Sequence, residues 1–150
     1  MEPREALQEN FEKVLELPES AQSWLLMLWD TIQTFDDYAD GDTVNRSRLD
    51  KLIWHTLAAM PNNPFYSANS SLLSSLIITA ILKWHASDQA ERGGKSDAKS
   101  YMWRAAYYDI VLFVFALCHG YEAAQEHAAT ILNLYAETFT EYQQEFSNHA

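Results

Sequence analysis

Residues 97–119 read DAKSYMWRAAYYDIVLFVFALCH, and this stretch decides the fold. Apolar side chains recur along it with helical spacing, and from Ile110 onward they cover nearly every side of a helix. A helix that is apolar almost all round belongs in the middle of a bundle. Asp97 is a residue type that caps helix starts, and Gly120 is a type that ends helices. The stretch therefore predicts the central helix of a helical bundle.

The same periodicity extends from this helix toward both ends of the chain, and the alternation typical of strands is nowhere sustained. It predicts six helices, at residues 4–17, 20–39, 47–60, 70–92, 97–119 and 121–146. The few glycines and prolines fall between these segments, where helices should stop. We expect an all-α fold, an antiparallel helical bundle of about six helices in a single domain over residues 1–150.

The composition is that of a folded, acidic protein. Hydrophobic residues make up 48% of the chain and aromatic residues 13%, which is too many for a disordered acidic tail. The formal net charge is −11, and such a surface repels phosphate backbones, so we expect no direct nucleic-acid binding. The single cysteine, Cys118, cannot form an intrachain disulfide and lies in an apolar run, where a thiol packs as a small hydrophobe.

Features of the chain's start and its apolar runs favour a cytoplasmic protein. Residues 1–5 are charged and are not followed by the apolar core of a signal peptide. The longest strongly apolar stretch, residues 110–118, is too short to span a bilayer. We therefore expect a cytoplasmic location without membrane contact.

An aspartate-rich pattern, DDxxD, is formed by Asp36, Asp37 and Asp40 at the end of the second predicted helix. Carboxylates at this spacing can share one magnesium ion, which is how many helical enzymes hold a diphosphate. The pattern resembles the aspartate-rich motif of trans-prenyl synthases, but the chain is too short for that fold. Asp36 to Asp42 also fit a solvated helix end and turn.

The same aspartates carry a second resemblance, to the all-helical nucleotide pyrophosphatases of the MazG and dimeric dUTPase type. Asp36, Asp37 and Asp40 stand where that family has the glutamates of an EExxE motif, and residues 108–112 resemble its second motif. The resemblance implies magnesium-dependent nucleotide hydrolysis. This chain departs from the pattern because all three glutamates are aspartates, Ala106 replaces the second motif's acid, and extra helices separate the motifs.

Asp109 is the most unusual acidic residue, because its neighbours on the helical wheel are apolar. An ionised carboxylate in such a place must be paired, hydrogen-bonded or bound to a metal. We expect Asp109 to be substantially buried and bonded to Arg104, Lys83 or His85, or to a metal shared with Asp88. The simpler interpretation is a buried ion-pair network of Asp88, Asp109, Arg104 and Lys83.

The alternative interpretation is a magnesium or manganese site. Its metal ligands would be drawn from Asp36, Asp37, Asp40, Asp88 and Asp109, with Arg104 or Lys83 contacting phosphate. Asp30 and His55 are given no such role. Asp30 lies with Asp37 on the side of the second helix opposite its apolar stripe, which favours a solvated face for this pair, and His55 lies on the flank of the third helix.

The chain lacks a GxxxxGK[ST] phosphate loop and the HExxH, CxxC and GxSxG motifs. We therefore expect a non-catalytic intracellular protein without a cofactor, which acts through protein contacts as a homodimer or on another protein. A small protein of a phage or mobile element would fit this description. Four aromatic residues on one side of the last predicted helix favour a homodimer surface: Tyr135, Phe139, Tyr142 and Phe146. Enzymatic activity stays open, with a magnesium-dependent nucleotide or diphosphate hydrolase as the alternative.

Overall fold

A computed structural model describes residues 1–147, and it confirms the all-α fold. Helix makes up 79% of the structure, and residues 1–147 contain no strand. The helices form two compact helical units, Met1–Ser70 and Ser71–Ala150, and each unit is described by itself below. The single domain over residues 1–150 stays a prediction.

Eight α-helices lie within residues 1–147, where the sequence predicted about six. They are α1 Pro3–Glu9, α2 Glu19–Ala39, α3 Arg46–Trp54, α4 Pro64–Arg92, α5 Ala98–Trp103, α6 Ala106–His119, α7 Tyr121–Leu132 and α8 Phe139–Ser147. Two π-helical segments extend α1 and α3, over Asn10–Val14 and His55–Ala59. The number is higher than predicted because the backbone leaves the helix at Ala105, where ψ is 15°, and again over residues 133–138.

The core of Met1–Ser70 forms around Trp24 of α2, which is completely buried. Its indole ring stacks on the Tyr66 ring near the start of α4, with 5.5 Å between the ring centroids. Apolar side chains from α1 to the turn after α3 complete this core: Leu7, Phe11, Leu15, Leu17, Ala21, Leu25, Leu26, Leu28 and Met60.

The sequence predicts a core face of the third helix made of Leu49, Leu52, Ile53, Leu57 and Met60, and this face is wrong in part. Met60 is buried, but Leu49, Ile53 and Leu57 are 43%, 48% and 76% exposed. The other side of α3, with Arg48 and the half-buried Leu52, faces α2 instead. This orientation lets the Arg48 guanidinium reach the carboxylate of Asp37 on α2, at 2.8 Å.

The core of Ser71–Ala150 is supplied mainly by α6, which packs against α7. Buried side chains of this unit are Leu73 of α4, Ala106, Tyr107, Ile110, Val111, Val114 and Phe115 of α6, Ala124 and Ile131 of α7, and Tyr142 of α8. Asp97 caps α5 as predicted, because its Oδ1 accepts a hydrogen bond from the Ser100 backbone N–H at 3.0 Å. Burial raises the pKa of the Cys118 thiol, which agrees with its predicted packing role.

Asn63 ties the start of α4 to the start of α2 within Met1–Ser70. Its Nδ2 donates a hydrogen bond to the Ser20 carbonyl at 3.0 Å, and its Oδ1 accepts one from the Tyr66 backbone N–H at 3.0 Å. The residue is only 7% exposed, so water cannot easily replace either partner.

We predict that Asn63→Ala lowers the free energy of unfolding by about 1–3 kcal/mol, because two part-buried backbone groups, the Ser20 carbonyl and the Tyr66 N–H, lose a hydrogen bond. The matched control is Asn62→Ala, since Asn62 is exposed and its amide donates only to the Ala58 carbonyl of its own turn. The control should cost less than about 1 kcal/mol. Urea unfolding with equal losses for the two variants would contradict the prediction.

Candidate functional site

The three aspartates of the DDxxD pattern lie in the last turn of α2 and at its end. The Asp37 carboxylate pairs with the Arg48 guanidinium of α3 at 2.8 Å, and Asp36 and Asp40 also interact with other groups. The Asp40 backbone N–H donates to the Asp36 carbonyl at 2.9 Å, and Gly41 follows with a φ of +81°. In this arrangement the cluster ends a helix and, through Asp37, holds α3 against α2.

Within residues 1–147, no group of three or more His, Cys, Asp or Glu side chains is arranged to hold a metal ion. Asp36, Asp37 and Asp40 belong to Met1–Ser70, whereas Asp88 and Asp109 belong to Ser71–Ala150. No contact among the described residues favours the metal-dependent hydrolase, which stays a prediction.

Asp109 makes the direct bond that its sequence position predicts. The Lys83 Nζ on α4 lies 2.8 Å from the Asp109 Oδ2 on α6, which joins these two helices. The predicted burial is wrong, because the two side chains are 41% and 42% exposed. The helical wheel misplaced Asp109 because it treated residues 97–119 as one helix, whereas the chain breaks at Ala105. An ion pair this exposed contributes about 0–1 kcal/mol.

The other members of the predicted ion-pair network have different partners. Asp88 pairs with Arg92 one turn later on α4, with 2.9 Å between its Oδ2 and the Nη2 of the arginine. Arg104, at the break between α5 and α6, lies within 4 Å of three carboxylates, those of Glu91, Glu137 and Glu145. Like-charge repulsion from these carboxylates opposes the binding of a phosphate at Arg104.

Arg104 also contacts aromatic rings of α8. The centre of its guanidinium lies 5.7 Å from the centroid of the Tyr142 ring and 5.2 Å from that of the Phe146 ring. The Tyr142 hydroxyl donates to a Glu91 carboxylate oxygen at 2.9 Å. Burial raises the pKa of Tyr142 to about 12, so the hydroxyl keeps its proton at neutral pH. One arginine thereby connects α4, the α5–α6 break and α8.

The aromatic residues near the end of the chain do not form the uncovered surface that was predicted. Three of them, Tyr135, Phe139 and Tyr142, surround the Tyr101 ring of α5 with centroid distances of 5.3–5.4 Å. Tyr142 is 1% exposed. The predicted uncovered surface is absent because the chain turns over residues 133–138 and α8 packs against α5.

A cleft of about 310 Å³ with both polar and apolar walls lies between α2 and α3 within Met1–Ser70. Its walls are Trp29, Asp30, Thr31, Gln33, Thr34, Arg48, Lys51, Leu52 and His55. The Arg4 Nε and Nη2 donate to the two carboxylate oxygens of Asp30 at 2.9 and 3.1 Å, so this acid is paired rather than merely solvated. Sequence reasoning missed the cleft, although Arg48, Lys51 and His55 have the spacing of one helix face.

The electrostatic surroundings of His55 follow from this cleft. Partial burial lowers the pKa of its imidazole, Asp30 opposes the change, and the positive charges of Lys51 and Arg4 add to the lowering. His55 is therefore predominantly neutral at pH 7.

A second surface is the exposed side of α4 in Ser71–Ala150. Residues 71–82 contain no charged side chain. Four large apolar residues on this side are 50–63% exposed: Leu72, Ile78, Ile81 and Leu82. The opposite side holds the two buried residues of α4, Leu73 at 0% and Ser87 at 1% exposure, among half-buried neighbours.

By length and composition alone, α4 is also apolar enough to cross a membrane, and 6% of its most apolar window is buried. The prediction that no apolar stretch is long enough to span a bilayer did not include this helix, because serine and threonine residues interrupt its apolar positions.

The chain matches no protein-family model, no curated protein and no solved structure.

We predict that Arg104→Met lowers the free energy of unfolding by roughly 3 kcal/mol, because removing the guanidinium leaves three carboxylates without their cation in a partly buried place. Arg104 is 23% exposed and Glu91 is 10% exposed, which limits screening by water. Arg46→Met is the control, since Arg46 and its partner Asp50 are 83% and 56% exposed, and it should cost less than about 1 kcal/mol. Chemical denaturation measures both values, and a loss at Arg104 no larger than the control would refute the prediction.

His55 should make the stability of the chain depend on pH. Its folded-state pKa is below the unfolded value of 6.5, so the unfolded chain binds more protons as the pH falls. The free energy of unfolding should decrease between about pH 7.5 and about pH 5, and His55→Gln should reduce that decrease. His127→Gln removes an exposed imidazole of α7 as a control. The idea fails if His55→Gln keeps the full pH dependence of the parent protein.

Proposed function

We propose that the chain is a non-catalytic protein that acts through protein contacts, and that the exposed face of α4 pairs with the same face of a second copy. The observation that carries the proposal is the uncharged, partly apolar side of α4 over residues 71–82. Soluble proteins rarely leave such a face uncovered, and larger uncovered apolar patches mark interaction sites.

The spacing along this face fits helix pairing. Residues 71, 75, 78, 82, 85 and 89 follow one another in steps of four and three along one seam of α4, and all six are exposed, with Ile78 and Leu82 as the apolar members. Ile78 and Leu82 occupy successive seam positions, with Leu72 and Ile81 at the two flanks. At 1.5 Å per residue, the seam is about 27 Å long.

Charge favours a second copy as the occupant. Each chain carries a net charge of −11, so two copies repel each other over most surfaces. This repulsion is smallest at a face without carboxylates. Such a face also needs no basic surface on its partner. Pairing of identical faces forms a twofold interface, which leaves no such face free for a third copy.

Protein is favoured over lipid because α4 is two-sided. Its inner side is buried at Leu73 and Ser87 and is bonded to α6 through the Lys83–Asp109 pair. A helix that spans a bilayer alone would expose apolar side chains on all sides, whereas the exposed side of α4 includes Ser71 and Ser75.

The expected affinity is modest. Covering four half-exposed aliphatic side chains on each copy contributes roughly 6–12 kcal/mol, and association costs about 4–15 kcal/mol. The most favourable combination leaves about 8 kcal/mol, which corresponds to a dissociation constant of about 1 μM, so we expect micromolar association at the tightest.

Sedimentation equilibrium tests the proposal with a matched pair of variants. The parent chain should sediment as a dimer of the 17.2 kDa chain at high micromolar concentration. Leu82→Glu, at 63% exposure, should weaken the dimer at least about tenfold, because each face then carries a charge that must be desolvated. Met102→Glu, at 62% exposure on α5, adds the same charge outside the face and should leave the dimer intact.

Two results would overturn the proposal. One is a monomeric parent chain at these concentrations. The other is binding of the parent chain to phosphatidylcholine vesicles that Leu82→Glu abolishes and Met102→Glu keeps, which would assign the face to a lipid surface. Circular dichroism checks that both variants retain the parent helix content.

A further inference from the structure

We propose that the cleft between α2 and α3 in Met1–Ser70 binds the phosphate group of a small organic phosphate, with Lys51 as its principal cation. This inference is independent of α4 pairing, because it concerns other residues and another kind of ligand. The cleft volume of about 310 Å³ is within the range of small-molecule sites.

The charges around the cleft do not cancel. The carboxylate of Asp30 is matched by Arg4, which approaches it with two hydrogen bonds at 2.9 and 3.1 Å. The carboxylate of Asp37 is matched by Arg48 at 2.8 Å. Lys51 is exposed and forms no ion pair within the part of the chain that the structure describes. One positive charge therefore stays unmatched at the cleft of a protein whose net charge is −11.

The positions of the hydrogen-bond donors favour phosphate over carboxylate. Lys51 and His55 line one wall, on α3 and its π-helical extension, and Gln33 lines the wall on α2. Arg48 already donates to Asp37 and Thr34, and the Thr34 hydroxyl donates to the Asp30 carbonyl. Donors on two opposed walls suit the several terminal oxygens of a tetrahedral phosphate better than the two coplanar oxygens of a carboxylate.

The remaining walls indicate what the phosphate is attached to. Trp29 and Leu52 offer an aromatic and an aliphatic surface to the same cleft. Sites of this kind combine an apolar wall with a few polar groups that fix orientation. The ligand class is therefore a phosphate monoester with an apolar or aromatic part, rather than free inorganic phosphate.

Nuclear magnetic resonance titration of the full chain tests the inference. Phenyl phosphate is the probe, and phenol, benzoate and inorganic phosphate are its comparisons. We expect phenyl phosphate to shift the backbone amide signals of residues 29–34 and 48–55 and to bind more tightly than each comparison compound. Tighter or equal binding of benzoate would overturn the assignment to phosphate.

Two lysine variants with the same change in net charge separate a site from general electrostatic attraction. Lys51→Gln should weaken phenyl phosphate binding about tenfold, because it removes the unmatched cation. Lys99→Gln, at an exposed lysine of α5 in the other unit, should leave the affinity unchanged. Equal losses in both variants, or the absence of shifts at residues 29–34 and 48–55 at millimolar phenyl phosphate, would overturn the inference.

Discussion

The position of Arg104 organises the unit Ser71–Ala150. Its guanidinium lies within 4 Å of the carboxylates of Glu91, Glu137 and Glu145 and against the rings of two aromatic residues of α8. A partly buried cation must be paired, and partly buried carboxylates must be paired as well. This mutual requirement draws α4, α8 and the segment before α8 together at the break between α5 and α6. The aromatic cluster around Tyr101 packs on the same side of α8 and adds apolar contact to the charged one.

In Met1–Ser70, polar pairing decides the orientation of α3. The helix has one side with Leu49, Ile53 and Leu57 and another with Arg48 and His55. The polar side faces α2, where Arg48 reaches Asp37, so the apolar side is left exposed. This arrangement produces the cleft, because short and polar side chains of α2 face long basic side chains of α3. The cleft and the exposed apolar row are two consequences of one orientation.

The candidate surfaces could be predicted from the sequence only in part. The absence of charge over residues 71–82 is visible in the sequence, but its assignment to an exposed face needed the positions of Leu73 and Ser87 in the core. The basic spacing of Arg48, Lys51 and His55 is also visible. It could not be recognised as one wall of a cleft, because the helical wheel placed the apolar side of α3 inward. Wheel analysis assumes that the larger apolar side is always buried, and α3 violates that assumption.

Local signals in the sequence by themselves determined the helical class of the fold, most helix boundaries and the cap at Asp97. These features depend on backbone geometry and on side chains within a few residues, so periodicity and residue type are sufficient. Only the tertiary structure decided that Lys83 is the partner of Asp109, that α8 turns back to bury Tyr142, and that Arg104 pairs with three glutamates. Partner choice among charged residues depends on which helices meet, and residues distant in the chain meet through breaks such as Ala105 that local periodicity does not reveal.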